Sequence, residues 1–309
     1  MRYSELIETP IFRLGHHPKL WMLDQYSIAD LLREASQALQ AAGVPEARRE
    51  AGSLLSFVIG KDRTFLISHA EDLIDATEWD RFHEAVARRA EGEPLQYITG
   101  VQDFYGREFR VTPDVLIPRP ETELLVEAAL EVIAGVSGPW ICDVGTGSGC
   151  IAVTLLCERT DARAVAVDVS EAALAIAAGN AGRHGVEERI SLKVSDCFQE
   201  LGATTFDLVV SNPPYVASAA LAGLQREVRD HEPRIALSPG ADGLRVIRSL
   251  LNDASAFLKP QGHLIMEIGF DQGEKVQELI DRNVWQLVEI RPDLQCIPRI
   301  VVVQKVSQL

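Results

Sequence analysis

Two short segments carry residue types at spacings that could do chemistry. One is Asn212-Pro213-Pro214-Tyr215, directly after the apolar run Phe206-Asp207-Leu208-Val209-Val210-Ser211. Its two prolines remove two backbone N–H donors and keep the carbonyl acceptors. With the Asn212 side-chain oxygen and the Pro213 carbonyl, the turn becomes an acceptor-rich clamp, each oxygen taking one hydrogen of a planar –NH2 group. Tyr215 is expected to pack on the planar face. A conjugated nitrogen is a poor nucleophile, and two acceptors that favour its pyramidal form stabilise the transition state more than the ground state. A bare turn would need neither the asparagine nor the tyrosine.

The other segment is Asp143-Val144-Gly145-Thr146-Gly147-Ser148-Gly149, which ends an apolar run and opens a helical pattern. Glycines there let the main chain turn sharply and approach a ligand without interference from a Cβ. Asp168 closes the next apolar run, where an acidic residue in nucleoside-binding folds accepts from both ribose hydroxyls. The dinucleotide fingerprint would place its last glycine at position 150, where Cys150 stands instead. The Gly-x-Gly-x-Gly spacing suits a cofactor without a pyrophosphate, S-adenosylmethionine rather than NAD, and the Asp143 carboxylate could complement its positive charge. A glycine-rich turn by itself is also an ordinary strand-to-helix connection, so the reading leans on Asp168 and on the proline turn together.

Both segments need a sheet to bring them to one edge. From Trp140 onward, apolar runs at 140–144, 164–167, 190–194, 207–211, 263–268, 287–290 and 300–303 alternate with helical patterns near 149–158, 171–184, 243–258 and 271–282. That alternation predicts an α/β fold with a mostly parallel, doubly wound seven-stranded sheet of Rossmann-like type. The last two runs are separated by too few residues for a crossover and are expected to be antiparallel. Upstream, residues 26–93 read as a small helical bundle. Ser27 is its first N-cap, and apolar stripes run through Ile28, Leu31, Leu32, Ala35 and Leu39, through Ala51, Leu54, Leu55 and Val58, and through Trp79, Phe82 and Val86. Residues 94–118 read as a β-hairpin linker with strands at Gln96–Thr99, Phe104–Tyr105, Glu108–Val111 and Asp114–Ile117, and 119–309 as the catalytic domain, opening on a helix from about Glu121 to Ala134. Residues 1–25 read as an irregular extension with no assigned role.

The chain has 309 residues, enough for two domains, and its 47% hydrophobic and 24% charged content excludes intrinsic disorder. A formal net charge of −15 repels phosphate backbones and disfavours nucleic acid as a partner. No run is long and apolar enough for a membrane span, and the N-terminus lacks the layout of a secretory signal, so a cytoplasmic chain is expected. Five cysteines (142, 150, 157, 197 and 296) without a Cys-x-x-Cys pair indicate reduced thiols and no metal site.

At these residues the chain resembles the HemK/PrmC methyltransferases, which modify the glutamine of the Gly-Gly-Gln motif in class 1 peptide chain release factors. The resemblance runs from Ser27 to the C-terminus through Pro94-Leu95-Gln96-Tyr97-Ile98-Thr99-Gly100, Leu116-Ile117-Pro118-Arg119-Pro120-Glu121-Thr122-Glu123, the glycine turn, the Asn-Pro-Pro-Tyr turn and Glu232-Pro233-Arg234. It implies S-adenosylmethionine as cofactor, held by Gly145, Thr146, Gly147, Ser148, Gly149 and Asp168. It implies a class 1 release factor as protein partner, with Asn212, Pro213, Pro214 and Tyr215 binding the glutamine amide and Asn212 also near the methyl group. Asn212, Pro213 and Tyr215 are the expected catalytic set. The family often has an aromatic residue beside the adenine in an Asp-Trp-Phe context; Asp196-Cys197-Phe198 stands there, so Cys197 is expected to line that pocket. Two other readings use the same residues. A DNA amino-methyltransferase would need a basic groove that the charge does not provide, and a non-catalytic factor-binding module would have no use for Asn212 and Asp168.

Overall fold

A computed structural model describes residues 26–306, so the expected extension 1–25 lies outside the described residues. The chain divides into two compact units, 1–95 and 96–309. The first consists of helices α1 (Ile28–Ala41), α2 (Ala47–Ile59), α3 (Arg63–Ser68) and α4 (Ala76–Ala90). Ser27 caps α1 in a reciprocal box with Asp30, as its position before the apolar stripe predicts, and Asp75 forms the same box with Glu78 on α4. Leu31, Leu39, Leu54, Leu55 and Phe82 bury one face of each long helix. Arg89 is buried in this core and is compensated by an ion pair with Glu50.

The second unit opens with α5 (Leu95–Thr99), where the sequence predicts a strand. The β-branched and aromatic residues misdirect that reading. Tyr97 and Ile98 are buried, and the Tyr97 hydroxyl donates to the Val115 carbonyl at 2.6 Å, which fixes a helical turn by tertiary contact. Strands β1 (Val101–Phe104) and β2 (Arg107–Arg110) follow as an antiparallel hairpin. Its Tyr105-Gly106 turn has positive φ at both residues, the twist that a two-residue hairpin requires. Phe104 and Phe109 enter the core of the unit, so the hairpin is part of its packing. The expected strand at Asp114–Ile117 does not form: Asp114 lies in a turn closed by the Val115 amide on the Thr112 carbonyl at 3.1 Å, and Leu116 and Ile117 follow without a ladder partner.

The remaining elements are α6 (Glu123–Val132), β3 (Trp140–Val144), α7 (Cys150–Glu158), β4 (Arg163–Asp168), α8 (Glu171–Arg183), β5 (Ile190–Val194), β6 (Phe206–Ser211), α9 (Arg226–His231), α10 (Arg234–Leu237), α11 (Arg245–Asp253), β7 (Leu258–Glu267), α12 (Gly273–Leu279), β8 (Trp285–Pro292) and β9 (Pro298–Lys305). They build one seven-stranded sheet in the order β5-β4-β3-β6-β7-β9-β8, with β9 antiparallel to both neighbours and the rest parallel. Alternate side chains feed two cores. Ile141, Leu208, Val210, Ile265 and Ile300 face one layer, and Cys142, Val209, Leu264, Met266 and Val301 the other. Burial on both faces explains why these strands read as continuous apolar runs. Strands β3 and β6 are neighbours, yet the chain leaves β3 toward β4 and leaves β6 toward β7 on the opposite side. Their C-terminal ends therefore flank a topological switch point, the place where open α/β sheets bind ligands.

Candidate active site

The glycine turn leaves β3 at this switch point. Gly145, Gly147 and Gly149 have φ of 73°, 55° and 80°, a path closed to most side chains. The amides of Gly145 and Thr146 donate to the Val167 carbonyl at 2.8 and 3.0 Å, which moors the turn to β4. A Cβ at Gly149 would lie 3.1 Å from that of Ala177, so this glycine also sets the close approach of α7 to α8. Asp143 lies beneath the turn, fully buried. Its Oδ2 accepts from the Thr146 hydroxyl at 2.7 Å and the Ala152 amide at 3.3 Å, while Oδ1 has no partner. Burial pushes its carboxyl up to about 7 despite these bonds. Asp168, half-buried at the end of β4, accepts the Gly147 amide on Oδ2 and the Ser170 amide on Oδ1, both at 2.9 Å. Each oxygen keeps a further lone pair for a ligand hydroxyl.

The end of β6 is tied to β3 by the Ser211 hydroxyl, which donates to the Val144 carbonyl at 2.7 Å. Asn212, Pro213 and Pro214 then line a cavity of about 300 Å³ together with Gly145, Thr146, Gly147, Ser148, Asp168 and Cys197. The sequence-predicted residues from two distant segments thus meet in one cavity, save two. Gly149 and Tyr215 are not among the lining residues; the Tyr215 hydroxyl donates to Glu267 Oε1 at 3.3 Å. Cys197 has a left-handed backbone, φ 50°, and burial pushes its thiol up to about 11.

Sequence reading missed four positions. Asn180, buried on α8, holds the Arg110 amide and carbonyl and also donates to the Ser148 carbonyl at 2.8 Å, which links the hairpin to the glycine turn. Glu232, also buried, accepts from Arg119 at 2.5 Å and from the Ile117 amide at 3.4 Å. It fastens the segment bearing Leu116 and Pro118 to the segment bearing Ile235 and Ala236, and all four line the cavity. This contact explains physically why Pro-Arg-Pro and Glu-Pro-Arg occur in the same chain. Thr122 and Glu267 are the other two. The Asn212 Nδ2 donates to Thr122 Oγ1 at 3.0 Å, and the Thr122 hydroxyl donates to Glu267 Oε2 at 2.7 Å. The one available signal for Glu267 was a carboxylate closing the apolar stretch Leu264–Met266 of its strand.

The donor set discriminates among cofactors. The charged side chains lining the cavity are Asp114, Asp168, Asp196 and Arg245, an acidic balance that repels a pyrophosphate and suits a cation. Cavity volume and apolar walls (Ile151, Val169, Val246) suit a nucleoside. These residues fit S-adenosylmethionine. Among the described residues there is no group of three or more His, Cys, Asp and Glu side chains that could hold a metal ion.

A doubly wound sheet with a glycine turn, a carboxylate at the end of the neighbouring strand and an acidic cavity at its switch point defines an S-adenosylmethionine-dependent methyltransferase. The families described as PrmC N-terminal domain and Methyltransferase small domain match residues 30–100 and 120–228. The chain is 44% identical over 279 residues to a release factor glutamine methyltransferase of Nitratidesulfovibrio vulgaris, covering 89% of this chain and 94% of that one. It is 46% identical over 274 residues to the enzyme of the same name from Cereibacter sphaeroides, covering 88% and 96%. The chain belongs to the release factor glutamine methyltransferase family. Among solved structures, the hMettl16 catalytic domain in complex with the MAT2A 3'UTR hairpin 6 aligns with a TM-score of 0.50 at 15% identity, covering 73% of this chain and 83% of that one, a likeness of fold alone.

Proposed function

We propose that this chain methylates the side-chain amide nitrogen of the glutamine in the Gly-Gly-Gln motif of class 1 peptide chain release factors. The observation that carries the reading is the convergence of Asn212, Pro213 and Pro214 with Asp168 and the 145–148 turn in one cavity. S-adenosylmethionine, when bound, supplies an electrophilic methyl carbon and a neutral thioether leaving group.

Asp168 would hold the ribose hydroxyls, the 145–148 backbone would lie against the nucleoside, and Cys197 would line the adenine end. Asn212 Oδ1 and the Pro213 carbonyl would each take one hydrogen of the glutamine amide, leaving the nitrogen lone pair aimed into the cavity. The Asn212 Nδ2 donates to Thr122 at 3.0 Å, which leaves Oδ1 as the end available to accept from the substrate amide. As charge develops on nitrogen, these acceptors strengthen their hold, and holding the reacting atoms in line contributes the rest. Transfer to the amide nitrogen would give an N-protonated, cationic methyl amide that is acidic enough to release its extra proton to water, so no strong base is required. Tyr215, tied to Glu267, would support the turn from behind and leave the amide face to its neighbours.

The helical unit would hold the body of the release factor. Among the described residues no helix is long and apolar enough to cross a membrane, and the five cysteines are unpaired, in keeping with a reducing cytoplasm. The test is mass spectrometry of a class 1 release factor after incubation with the protein and S-adenosylmethionine, with plasmid DNA treated in parallel. One added methyl group on the Gly-Gly-Gln glutamine and unmodified DNA is the expected result. An unmodified release factor would overturn the reading.

A further inference from the structure

Amide orientation is a problem that any asparagine in such a clamp has to solve. The carboxamide of Asn212 has two nearly isosteric ends. With Oδ1 toward the substrate it accepts an N–H; flipped, it would oppose the substrate –NH2 with its own –NH2. Something must choose between the two. Thr122, on the turn before α6, and Glu267, at the end of β7, are 145 residues apart and both 2% exposed. Thr122 has a single hydroxyl proton, and it is given to Glu267 Oε2 at 2.7 Å. Only lone pairs remain toward Asn212, so Asn212 must answer with its N–H, which it does at 3.0 Å. The other oxygen of Glu267 accepts from the Tyr215 hydroxyl, so with Glu267 ionised both of its carboxyl oxygens accept and the direction of donation runs one way through the set.

We propose that Thr122 and Glu267 are positioning residues that set the polarity of the Asn212 carboxamide, holding its oxygen toward the substrate amide. The inference rests on the methyl-transfer reading for its purpose, while the orientation itself is a property of the free protein. Glu267 acts through Thr122, and Thr122 acts through Asn212. Loss of the threonine hydroxyl frees the amide to rotate, and the flipped population contributes nothing to turnover.

The experiment compares wild type with Thr122→Val, Thr122→Ser, Glu267→Gln and the Thr122→Val/Glu267→Gln double variant. Calorimetry follows S-adenosylmethionine binding, steady-state kinetics follows a release factor substrate, and NMR of side-chain ¹⁵NH2 groups follows Asn212 in the substrate-free protein. Thr122→Val is expected to lower kcat roughly tenfold to hundredfold with cofactor affinity within about twofold, and Thr122→Ser to stay within about threefold of wild type. Adding Glu267→Gln to Thr122→Val should change kcat by less than about twofold, because the relay is already cut. In the NMR spectrum the Asn212 –NH2 should lose its exchange protection in Thr122→Val and keep it in Thr122→Ser. Unchanged Asn212 protection in Thr122→Val overturns the proposal, whatever the activity. So does a Thr122→Val enzyme with wild-type kcat. A wild-type protein that fails to methylate release factor would instead count against the function proposed above, and the NMR comparison would still decide the orientation.

Discussion

The Gly147 amide and the Asp168 carboxylate are joined by a 2.9 Å hydrogen bond that spans two strands of the sheet. One carboxylate therefore shapes the glycine turn and, in the proposed function, would offer its remaining lone pairs to the ribose of the cofactor. Asp168→Ala removes both contributions. The dissociation constant for S-adenosylmethionine should rise roughly tenfold to hundredfold, the worth of hydrogen bonds to a charged group. Isothermal calorimetry measures this directly, and an unchanged constant would place the ribose elsewhere.

Asn212→Ala separates binding from chemistry. The clamp acts mainly where charge develops, so kcat should fall roughly a hundredfold to a thousandfold, as for removal of one preorganised polar contact. Cofactor affinity should stay near wild type, because Asp168 and the glycine turn are untouched. Equal losses in affinity and in rate would reject that division of labour.

Much of this was legible before any coordinates. The strands at 140–144 and 206–211 announce themselves because burial on both faces leaves mostly apolar runs, and Gly145 to Gly149 and Asn212 to Tyr215 sit at their ends. What was not legible depends on partners distant in sequence. Tyr97 and Ile98 have strand-forming side chains, yet the Val115 carbonyl captures the tyrosine hydroxyl and a short helix results. The segment 114–117 forms no strand, since a turn returns the Val115 amide to Thr112 and Glu232 takes the Ile117 amide. The Thr122–Glu267 bond is invisible to any local pattern: neither residue has a neighbour in the sequence that betrays it.

Gly243 has φ +74°, and a Cβ there would strike the Tyr215 carbonyl oxygen and come within 3.0 Å of Gln272 Nε2. Gln272, itself buried, donates to that same Tyr215 carbonyl at 3.0 Å and receives the Gly269 amide at 2.9 Å. Gly243→Ala combines backbone strain with overpacking against rigid main chain and should cost roughly 2–4 kcal/mol of stability. Gly223→Ala is the control, since a Cβ there meets nothing within 4 Å. Urea unfolding of the two variants should differ accordingly. Equal midpoints would show that the proline turn does not depend on this close approach.

Burial pushes Glu267 up to about 7, against the bonds from Thr122 and Tyr215 and the nearby Arg299 that favour its charge, with Glu121 adding to the rise; Asp143 is pushed up to about 7 as well. Both carboxyls thus hold a proton in the folded state over a range where the unfolded chain, with ordinary values near 4, has already lost it. Stability from these groups is full below about pH 4 and is lost as pH rises through about 7, the reverse of a carboxylate held low by an ion pair. The unfolding free energy from urea titrations should fall between pH 5 and pH 8 by an amount on the order of 5 kcal/mol from the two sites together. Glu267→Gln, whose amide oxygen can still accept from Thr122, should flatten part of that fall. The remaining slope then reports Asp143 and the general repulsion in a chain of net charge −15. A Glu267→Gln profile parallel to wild type would mean that Glu267 is ionised throughout the range, held so by Thr122, Tyr215 and Arg299.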